Sequence, residues 1–164
     1  MKMKVSKKFQ AMPVNSDDEL FPNGIFEFNI TKMLAFIKSN PEKFAVELVP
    51  LEELGSSFGD LNESTIEKAE LSSPIILAEI SPGRFNVIDG HHRAEKARRV
   101  GATNVPAYRV YPDVHHRFFT SDRAYQTYVD YWNTKINEHA REQRVLAHRS
   151  HAKNISGGNV VGME

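Results

Sequence analysis

The sequence has no cysteine among its 164 residues. This absence excludes disulfide bridges, thiol catalysis and thiolate metal sites. Long hydrophobic runs are also missing, because the longest, such as Ile75-Ile76-Leu77-Ala78, are far shorter than the roughly 20 apolar residues that span a membrane. The 21 basic and 21 acidic side chains balance, so no overall charge draws the chain to nucleic acid. The remaining function classes are those of a neutral protein without membrane or thiol chemistry.

The amino terminus is basic, but no apolar segment follows it. We therefore expect no signal peptide, no membrane partner and a cytoplasmic location. Length and composition favour one domain. We expect a loose amino-terminal arm over 1–24, a core over 25–120, a carboxy-terminal helix over 121–149 and a flexible tail over 150–164.

Hydrophobic periodicity predicts a core of alternating strands and helices. The predicted strands are 25–30, 44–49, 74–80, 84–88 and 105–110, and the predicted helices are 31–39, 62–71 and 91–100. Residues 51–54 are expected to form a turn or strand extension, and 55–59 a flexible loop. The turn Ser81-Pro82-Gly83 makes 84–88 return antiparallel as a hairpin. The fold class is α/β (α+β): a small mixed β-sheet with surrounding helices and a long carboxy-terminal helix.

The carboxy-terminal helix carries an apolar stripe at helical spacing. Its members are Tyr125, Tyr128, Val129, Trp132 and Ile136. Such a stripe is more typical of a core or of a seam between two copies than of a ligand platform. A homodimer through this helix is therefore one expected assembly.

Basic side chains are concentrated between residues 84 and 117. The cations there are Arg84, Arg93, Lys96, Arg98, Arg99, Arg109 and Arg117, against the acids Asp89, Glu95 and Asp113. This concentration suits an anionic ligand. The alternative is a solvated helix face on which Glu95 pairs with Arg98 or Arg99.

The segment Asp89-Gly90-His91-His92-Arg93 lies where a predicted strand passes directly into a predicted helix. The first N–H groups of a helix lack carbonyl partners and favour an anion, above all a phosphate. Gly90 permits close approach to the backbone, and Arg93 can add a bidentate contact. Asp89 can hold a metal ion that accompanies a nucleotide, or accept a hydroxyl proton. Neighbouring helical residues point about 100° apart, so we expect at most one of the two histidines to face the ligand.

A purely structural interpretation of the same corner is also available. In it, Asp89 caps the helix, Gly90 makes the turn and the histidines satisfy one another or the backbone. The density of polar and permissive residues between apolar elements favours the functional interpretation.

The order of elements and the motif at residues 87–93 resemble the ParB/sulfiredoxin superfamily. The resemblance covers about residues 44–111, and Ala97, Gly101 and Val105-Pro106 take part in it. ParB-like domains carry a Gly-x-x-Arg core, matched here by Gly90 and Arg93. The resemblance implies that this segment binds nucleotide phosphates.

Branches of this superfamily differ in their chemistry. Sulfiredoxins carry a catalytic cysteine where His91 stands, so their reaction is excluded. ParB proteins are cytidine-triphosphate switches that bind DNA through a helix-turn-helix domain, for which no segment after Val110 is suited. Free-serine kinases share Asp-Gly-His-His-Arg, and the resemblance implies Glu52 or Glu53 as their glutamate base. Some stand-alone relatives are described as nucleases.

The sequence therefore predicts a nucleotide-binding phosphotransferase or nucleotide hydrolase. Expected cofactors are ATP, ADP or CTP together with Mg²⁺. Gly90, His91, His92 and Arg93 bind the phosphates, Asp89 is the metal ligand, and Asp89, His91, His92, Glu52 and Glu53 are the catalytic candidates. The alternative is a non-catalytic or nuclease-type DNA-binding ParB-like module, with DNA as partner.

Overall fold

The computed structural model describes residues 1–23, 26–55 and 60–156. Its strands are β1 (Leu20–Asn23), β2 (Phe26–Asn29), β3 (Glu47–Pro50), β4 (Ile75–Ser81), β5 (Arg84–Asp89) and β6 (Asn104–Val110). Its α-helices are α1 (Ile30–Ser39), α2 (Glu63–Lys68), α3 (His91–Arg99), α4 (Pro112–His115) and α5 (Asp122–Ser156), and two short 3-10 turns cover Leu51–Leu54 and His116–Phe118.

The central sheet has the order β3-β6-β4-β5. Its outer pairs, β3 with β6 and β4 with β5, are antiparallel, whereas β4 and β6 are parallel. A separate two-stranded antiparallel sheet is formed by β1 and β2. The predicted small mixed sheet with surrounding helices is therefore confirmed, as is the hairpin formed by β4 and β5.

The two faces of the central sheet bury two separate apolar clusters. Along β4, Ile76 and Ala78 enter the larger cluster, with α1, β2 and α5, whereas Ile75 and Leu77 enter the smaller one, beside Ala97 of α3. Burying one such aliphatic side chain stabilises a fold by about 1.5–3 kcal/mol. Because β4 is covered on both sides, its sequence is an uninterrupted apolar run and not an alternating one.

The aromatic stripe of α5 packs into the protein's own core. Tyr125, Tyr128 and Val129 are buried there, and Trp132 is partly buried against the same cluster. Of the two interpretations of this stripe, as part of the core or as a seam between two copies, the structure shows the first.

The amino-terminal segment is not a loose arm. The Asn133 side chain accepts from the Met3 N–H at 2.7 Å and donates to the Met3 carbonyl at 2.9 Å. The Tyr125 hydroxyl accepts from the Ser6 N–H, and Phe9 stacks on the Tyr125 ring with a 4.1 Å centroid separation. These contacts are made to residues more than 100 positions away, so local sequence patterns do not reveal them.

Several predicted boundaries shift. The predicted strand at 44–49 begins only at Glu47, and α2 ends at Lys68. Helix α1, predicted at 31–39, begins at Ile30, and Asn29 caps it, since its side chain accepts from the Lys32 N–H. The short helix α4 was not predicted, because its four residues are too few to show a periodicity.

The long carboxy-terminal helix extends beyond its predicted end. Helix α5 begins after Ser121, whose hydroxyl accepts from the Ala124 N–H, and continues to Ser156. Residues 150–156, predicted as part of a flexible tail, are therefore helical. Residues 157–164 of that tail, like residues 56–59 of the predicted loop, lie outside the described residues. Within the part of the chain that the structure describes, no helix is long and apolar enough to cross a membrane.

Candidate functional site

Gly90 forms the corner between β5 and α3. Its backbone has φ 97° and ψ 26°, a left-handed conformation that side chains strongly disfavour. A Cβ atom at this position would lie 2.4 Å from Ile75 Cγ2 and 2.8 Å from an Arg93 Nη. Both the conformation and the space therefore require glycine at this corner.

The amino terminus of α3 has no side-chain cap, because its capping residue is Gly90. The Ala94 N–H donates to the Gly90 carbonyl at 2.9 Å and starts the helical ladder. The N–H groups of the residues before Ala94 precede that ladder, as at every helix start. The interpretation in which Asp89 caps the helix is wrong, since Asp89 stands one residue before the capping position.

Asp89 instead pairs with Arg93. An Arg93 Nη donates to Asp89 Oδ2 at 3.1 Å, and both side chains are partly buried. Among the described residues, Arg93 Nε is buried without any hydrogen-bond acceptor. The guanidinium therefore lies at the corner with donor capacity that its pairing with Asp89 does not exhaust.

The two histidines of the motif are held in different ways. The His91 ring stacks on Phe21 of β1, with centroids 5.2 Å apart and planes 19° from parallel. Burial is the main cause that lowers the pKa of His91, opposed by the nearby Asp89 carboxylate. His92 Nε2 accepts from the Asn62 N–H at 3.3 Å. His91 is thus a neutral imidazole near pH 7, and His92 contacts the start of α2.

A cleft of about 700 Å³ opens over this corner. All five motif residues line it, the two histidines among them. The opposite walls come from the amino-terminal segment, with Glu19 and Phe21, and from the region of α2. The lining residues of that region are Asp60, Leu61, Thr65, Lys68, Ala69, Glu70 and Ser73. The volume of the cleft is in the range of small-molecule sites, about 300–1,000 Å³.

Side chains of α3 hold both ends of the α2 wall. Lys96 Nζ donates to the Glu67 and Ala69 carbonyls at the end of α2, both at 2.8 Å. An Arg99 Nη donates to Glu63 Oε1 at the start of α2, at 2.9 Å. The cleft wall is therefore tied to the same helix whose amino terminus forms the floor.

The far face of α3 is a network of ion pairs. Glu95 is buried, and hydrogen bonds from Arg98 and then Arg99 lower its pKa to about 2. Arg109 pairs with Glu47 and Glu53 on the sheet. The predicted pairing of Glu95 is confirmed. Most of the cations between residues 84 and 117 are thus paired with carboxylates. Among them, Arg93 is the cation that lies at the corner.

Glu52 and Glu53 do not line the cleft over the corner. Both are exposed on the 3-10 turn Leu51–Leu54. Glu53 accepts from an Arg109 Nη at 3.2 Å and lines a different cleft of about 660 Å³. The structure brings together the motif residues but places these two glutamates elsewhere.

A metal would need oxygen ligands from outside the protein at this site. No group of three or more histidine, aspartate or glutamate side chains able to hold a metal occurs in residues 1–23, 26–55 and 60–156. Mg²⁺, however, is commonly held by one or two carboxylates together with the phosphates of a substrate. Asp89 therefore fits Mg²⁺ as a companion of a bound phosphate and not as an independent metal site.

Sequence reasoning missed the walls of the cleft. Phe21 and Glu19 belong to the segment expected to be loose, and Thr65 and Lys68 lie on a helix that carries no recognisable motif. The helix itself was predicted at 62–71, and the Asn62 side chain caps its start by accepting from the Thr65 N–H.

Comparisons with known proteins find partial structural similarity. No family model and no curated protein matches the chain. Solved structures that it resembles include sulfiredoxin from Arabidopsis thaliana, at 17% identity and a TM-score of 0.36, over 41% of this chain and 85% of that one. Another is the carboxy-terminally truncated chromosome-partitioning protein ParB from Caulobacter crescentus complexed with CTP-gamma-S. It is 20% identical with a TM-score of 0.34, over 52% of this chain and 51% of that one.

Proposed function

We propose that the chain binds a nucleotide by its phosphate groups at the corner Asp89–Arg93 and catalyses phosphoryl transfer or nucleotide hydrolysis. One observation carries the proposal: a glycine-dependent helix start, with no capping side chain, opens onto a 700 Å³ cleft beside Arg93. Backbone N–H groups and the helix dipole favour a phosphate at such a position. The resemblance to ParB-like proteins and free-serine kinases supports ATP, ADP or CTP as the nucleotide.

Arg93 supplies the principal positive charge. Its guanidinium is a planar fork that suits two phosphate oxygens. In the structure one branch of this fork donates a hydrogen bond to Asp89. A bound phosphate competes for that branch, and its arrival frees the Asp89 carboxylate.

Asp89 would then be free to hold Mg²⁺, or to accept a proton from the acceptor hydroxyl. When bound, Mg²⁺ would neutralise the negative charge that develops on the transferred phosphoryl group. His91 is the better placed histidine for proton transfer, because the stacking on Phe21 fixes its ring and its lowered pKa keeps it neutral. His92 joins the phosphate site to α2.

The general base is a further part of the proposal. Glu52 or Glu53 is the base that the kinase resemblance implies, but both lie away from the cleft that holds the motif. Asp60 and Glu70 line that cleft and offer carboxylates there. Comparing turnover of Glu52→Gln and Glu53→Gln with that of Asp60→Asn and Glu70→Gln distinguishes the two assignments.

Isothermal titration calorimetry with ATP, ADP, CTP and GTP, with and without Mg²⁺, tests the binding claim. A ligand present at about 100 times its dissociation constant raises the unfolding free energy by roughly 2.7 kcal/mol, so a thermal-shift screen gives a rapid first measurement. Chromatographic detection of ADP, AMP or CDP tests turnover. Binding without product would leave a nucleotide-binding module and contradict the enzymatic half of the proposal.

The alternative is a non-catalytic or nuclease-type module that binds DNA. Binding to DNA weakens steeply with added salt, whereas nucleotide turnover need not. A cytoplasmic location and a homodimer are also predictions, and size-exclusion chromatography tests the dimer.

A further inference from the structure

The second half of α5 projects from the domain as a solvated helix. Every residue from 141 to 155 is exposed, and all of them lie beyond the last α5 residues that pack on the core. Nothing in the proposed nucleotide site requires this extension. Its surface chemistry therefore needs a separate explanation.

The extension carries charge of predominantly one sign. Residues 141–156 contain Arg141, Arg144, Arg149 and Lys153 against the single acid Glu142, together with His148 and His151. Among the described residues, the side chains of Arg141, Arg144 and Arg149 form no hydrogen bond or ion pair. This contrasts with Arg93, Arg99 and Arg109, each of which is paired with a carboxylate. The extension is a positive surface on an otherwise neutral protein.

These basic side chains cover somewhat more than half of the helix circumference. At 3.6 residues per turn, the four cations and two histidines fall within an arc of roughly 200°, which also contains Glu142 and Val145. Gln143, Ala147, Ser150 and Asn154 occupy the opposite side. The basic arc therefore presents charge on both flanks of the helix, with Arg144 on one and Arg149 on the other.

The apolar residues of the extension form no stripe. Val145, Leu146 and Ile155 point in three separate directions around the axis, by the same helical period. A helix that docks into a protein groove or lies on a membrane needs one contiguous apolar face. Pairing with a second copy would bring the same positive charges together. Charge complementarity thus selects a polyanion and disfavours these other partners.

We propose that residues 141–156 of α5 form a sequence-independent binding surface for double-stranded DNA. The major groove of B-DNA is about 12 Å wide and admits an α-helix, so cations on both flanks meet the phosphates of both strands. The deep, narrow major groove of A-form RNA does not admit the helix in this way. Lys2 and Lys4 add positive charge near the base of the extension, because Met3 between them is bonded to Asn133.

Fluorescence anisotropy with a labelled DNA duplex of arbitrary sequence tests the proposal. The test variant is Arg144→Gln with Arg149→Gln, which keeps good helix formers. We expect the wild type to bind the duplex at low salt. In the variant, loss of two phosphate contacts makes the negative slope of log affinity against log salt shallower by about 1.8 and weakens binding by roughly tenfold or more. The charge-matched control, Lys38→Gln with Lys43→Gln, removes two exposed cations elsewhere and retains the wild-type slope.

A rescue variant separates charge from helix stability. Arg144→Lys with Arg149→Lys keeps both charges and binds DNA within a few-fold of the wild type, while circular dichroism shows the same helicity in all variants. Failure of the wild type to bind DNA at low salt overturns the proposal. So does an unchanged slope in the glutamine variant, or an RNA duplex that binds as tightly as DNA. The nucleotide titration of the glutamine variant stays as in the wild type, so the two proposals fail separately.

Discussion

Asp89 Oδ2 and an Arg93 Nη lie 3.1 Å apart across the first turn of α3. The residue between β5 and that turn is a glycine that no other residue can replace without strain. Together these features give the corner a cation that is held in position but is available for exchange. An incoming phosphate has to displace only this one ion pair, and the phosphate oxygens then replace the carboxylate as acceptors for Arg93.

Gly90→Ala destabilises the protein strongly. The left-handed conformation costs roughly 1–2 kcal/mol for a residue with a side chain, and the contact with Ile75 adds about 1–3 kcal/mol of overpacking. Urea unfolding measures the sum. The matched control is Gly101→Ala at the other end of α3, where φ is 73° but no atom lies within 4 Å of an added Cβ. An equal loss in both variants would show that the space beside Ile75 does not matter.

Lys96→Met loosens the α2 wall. The variant loses two hydrogen bonds from a charged donor to the Glu67 and Ala69 carbonyls. Hydrogen exchange at residues 63–69 therefore accelerates, and nucleotide affinity falls although Lys96 does not line the cleft. Amide exchange in α1 serves as the internal control. Unchanged exchange in α2 would mean that Arg99 and Glu63 suffice to hold the wall.

Acid weakens the fold through His115. This residue is fully buried, and burial lowers its pKa to about 4 despite the hydrogen bond with the Glu79 carbonyl. The unfolded chain takes up this proton near pH 6.5, so the stability is complete above that pH and is lost as pH falls toward 4. The loss amounts to about 3 kcal/mol. Denaturant titrations between pH 7 and 4 measure it. A flat profile in the wild type would contradict the assignment.

Tyr128 and Trp132 differ in how much they stabilise the core. Tyr128 is completely buried, whereas Trp132 is only partly buried and donates to the Met1 carbonyl at 3.2 Å. Tyr128→Ala is expected to cost about 3–5 kcal/mol, the usual value for a buried aromatic side chain. Trp132→Ala is expected to cost clearly less. Urea unfolding of both variants compares them, and equal losses would show that Trp132 is as tightly packed as Tyr128.

The core and the corner at residues 89–93 could be predicted because their signals are local. Turn residues marked the β4–β5 hairpin, an apolar run marked the buried strand β4, and the helical period marked α3. The motif Asp-Gly-His-His-Arg is continuous in sequence, so its five residues meet at one cleft without any long-range contact. Only the role of Asp89 was misassigned in the structural interpretation, because capping and pairing are both local options for a carboxylate before a helix.

The walls of the cleft could not be predicted, because they depend on distant parts of the chain. Phe21 lies on β1, which is held by its pairing with β2, and it stacks on His91, which lies far along the chain. The position of Glu53 is equally non-local, since it follows from an ion pair with Arg109. A one-dimensional pattern identifies neither relationship.

Asp89→Asn separates binding from chemistry. The amide keeps the size of the carboxylate but loses its charge, so Arg93 remains available to the phosphate while the metal ligand is lost. Nucleotide affinity is expected to stay close to that of the wild type, and product formation with Mg²⁺ to disappear. Calorimetry and product chromatography on one preparation measure the two properties. Full turnover in this variant would remove Asp89 from the catalytic residues.

Calorimetric titration of ATP, ADP and CTP into the wild type and Arg93→Ala tests the phosphate corner most directly. Loss of one charge-assisted contact with phosphate is worth roughly 1.5–3 kcal/mol, which corresponds to an affinity weakened by about 10- to 150-fold. Arg93→Lys recovers part of it, and Arg98→Ala, on the far face of α3, retains wild-type affinity. If the wild type binds no nucleotide, phosphate or pyrophosphate at millimolar concentration, or if Arg93→Ala binds as the wild type does, the corner is only a well-formed helix start.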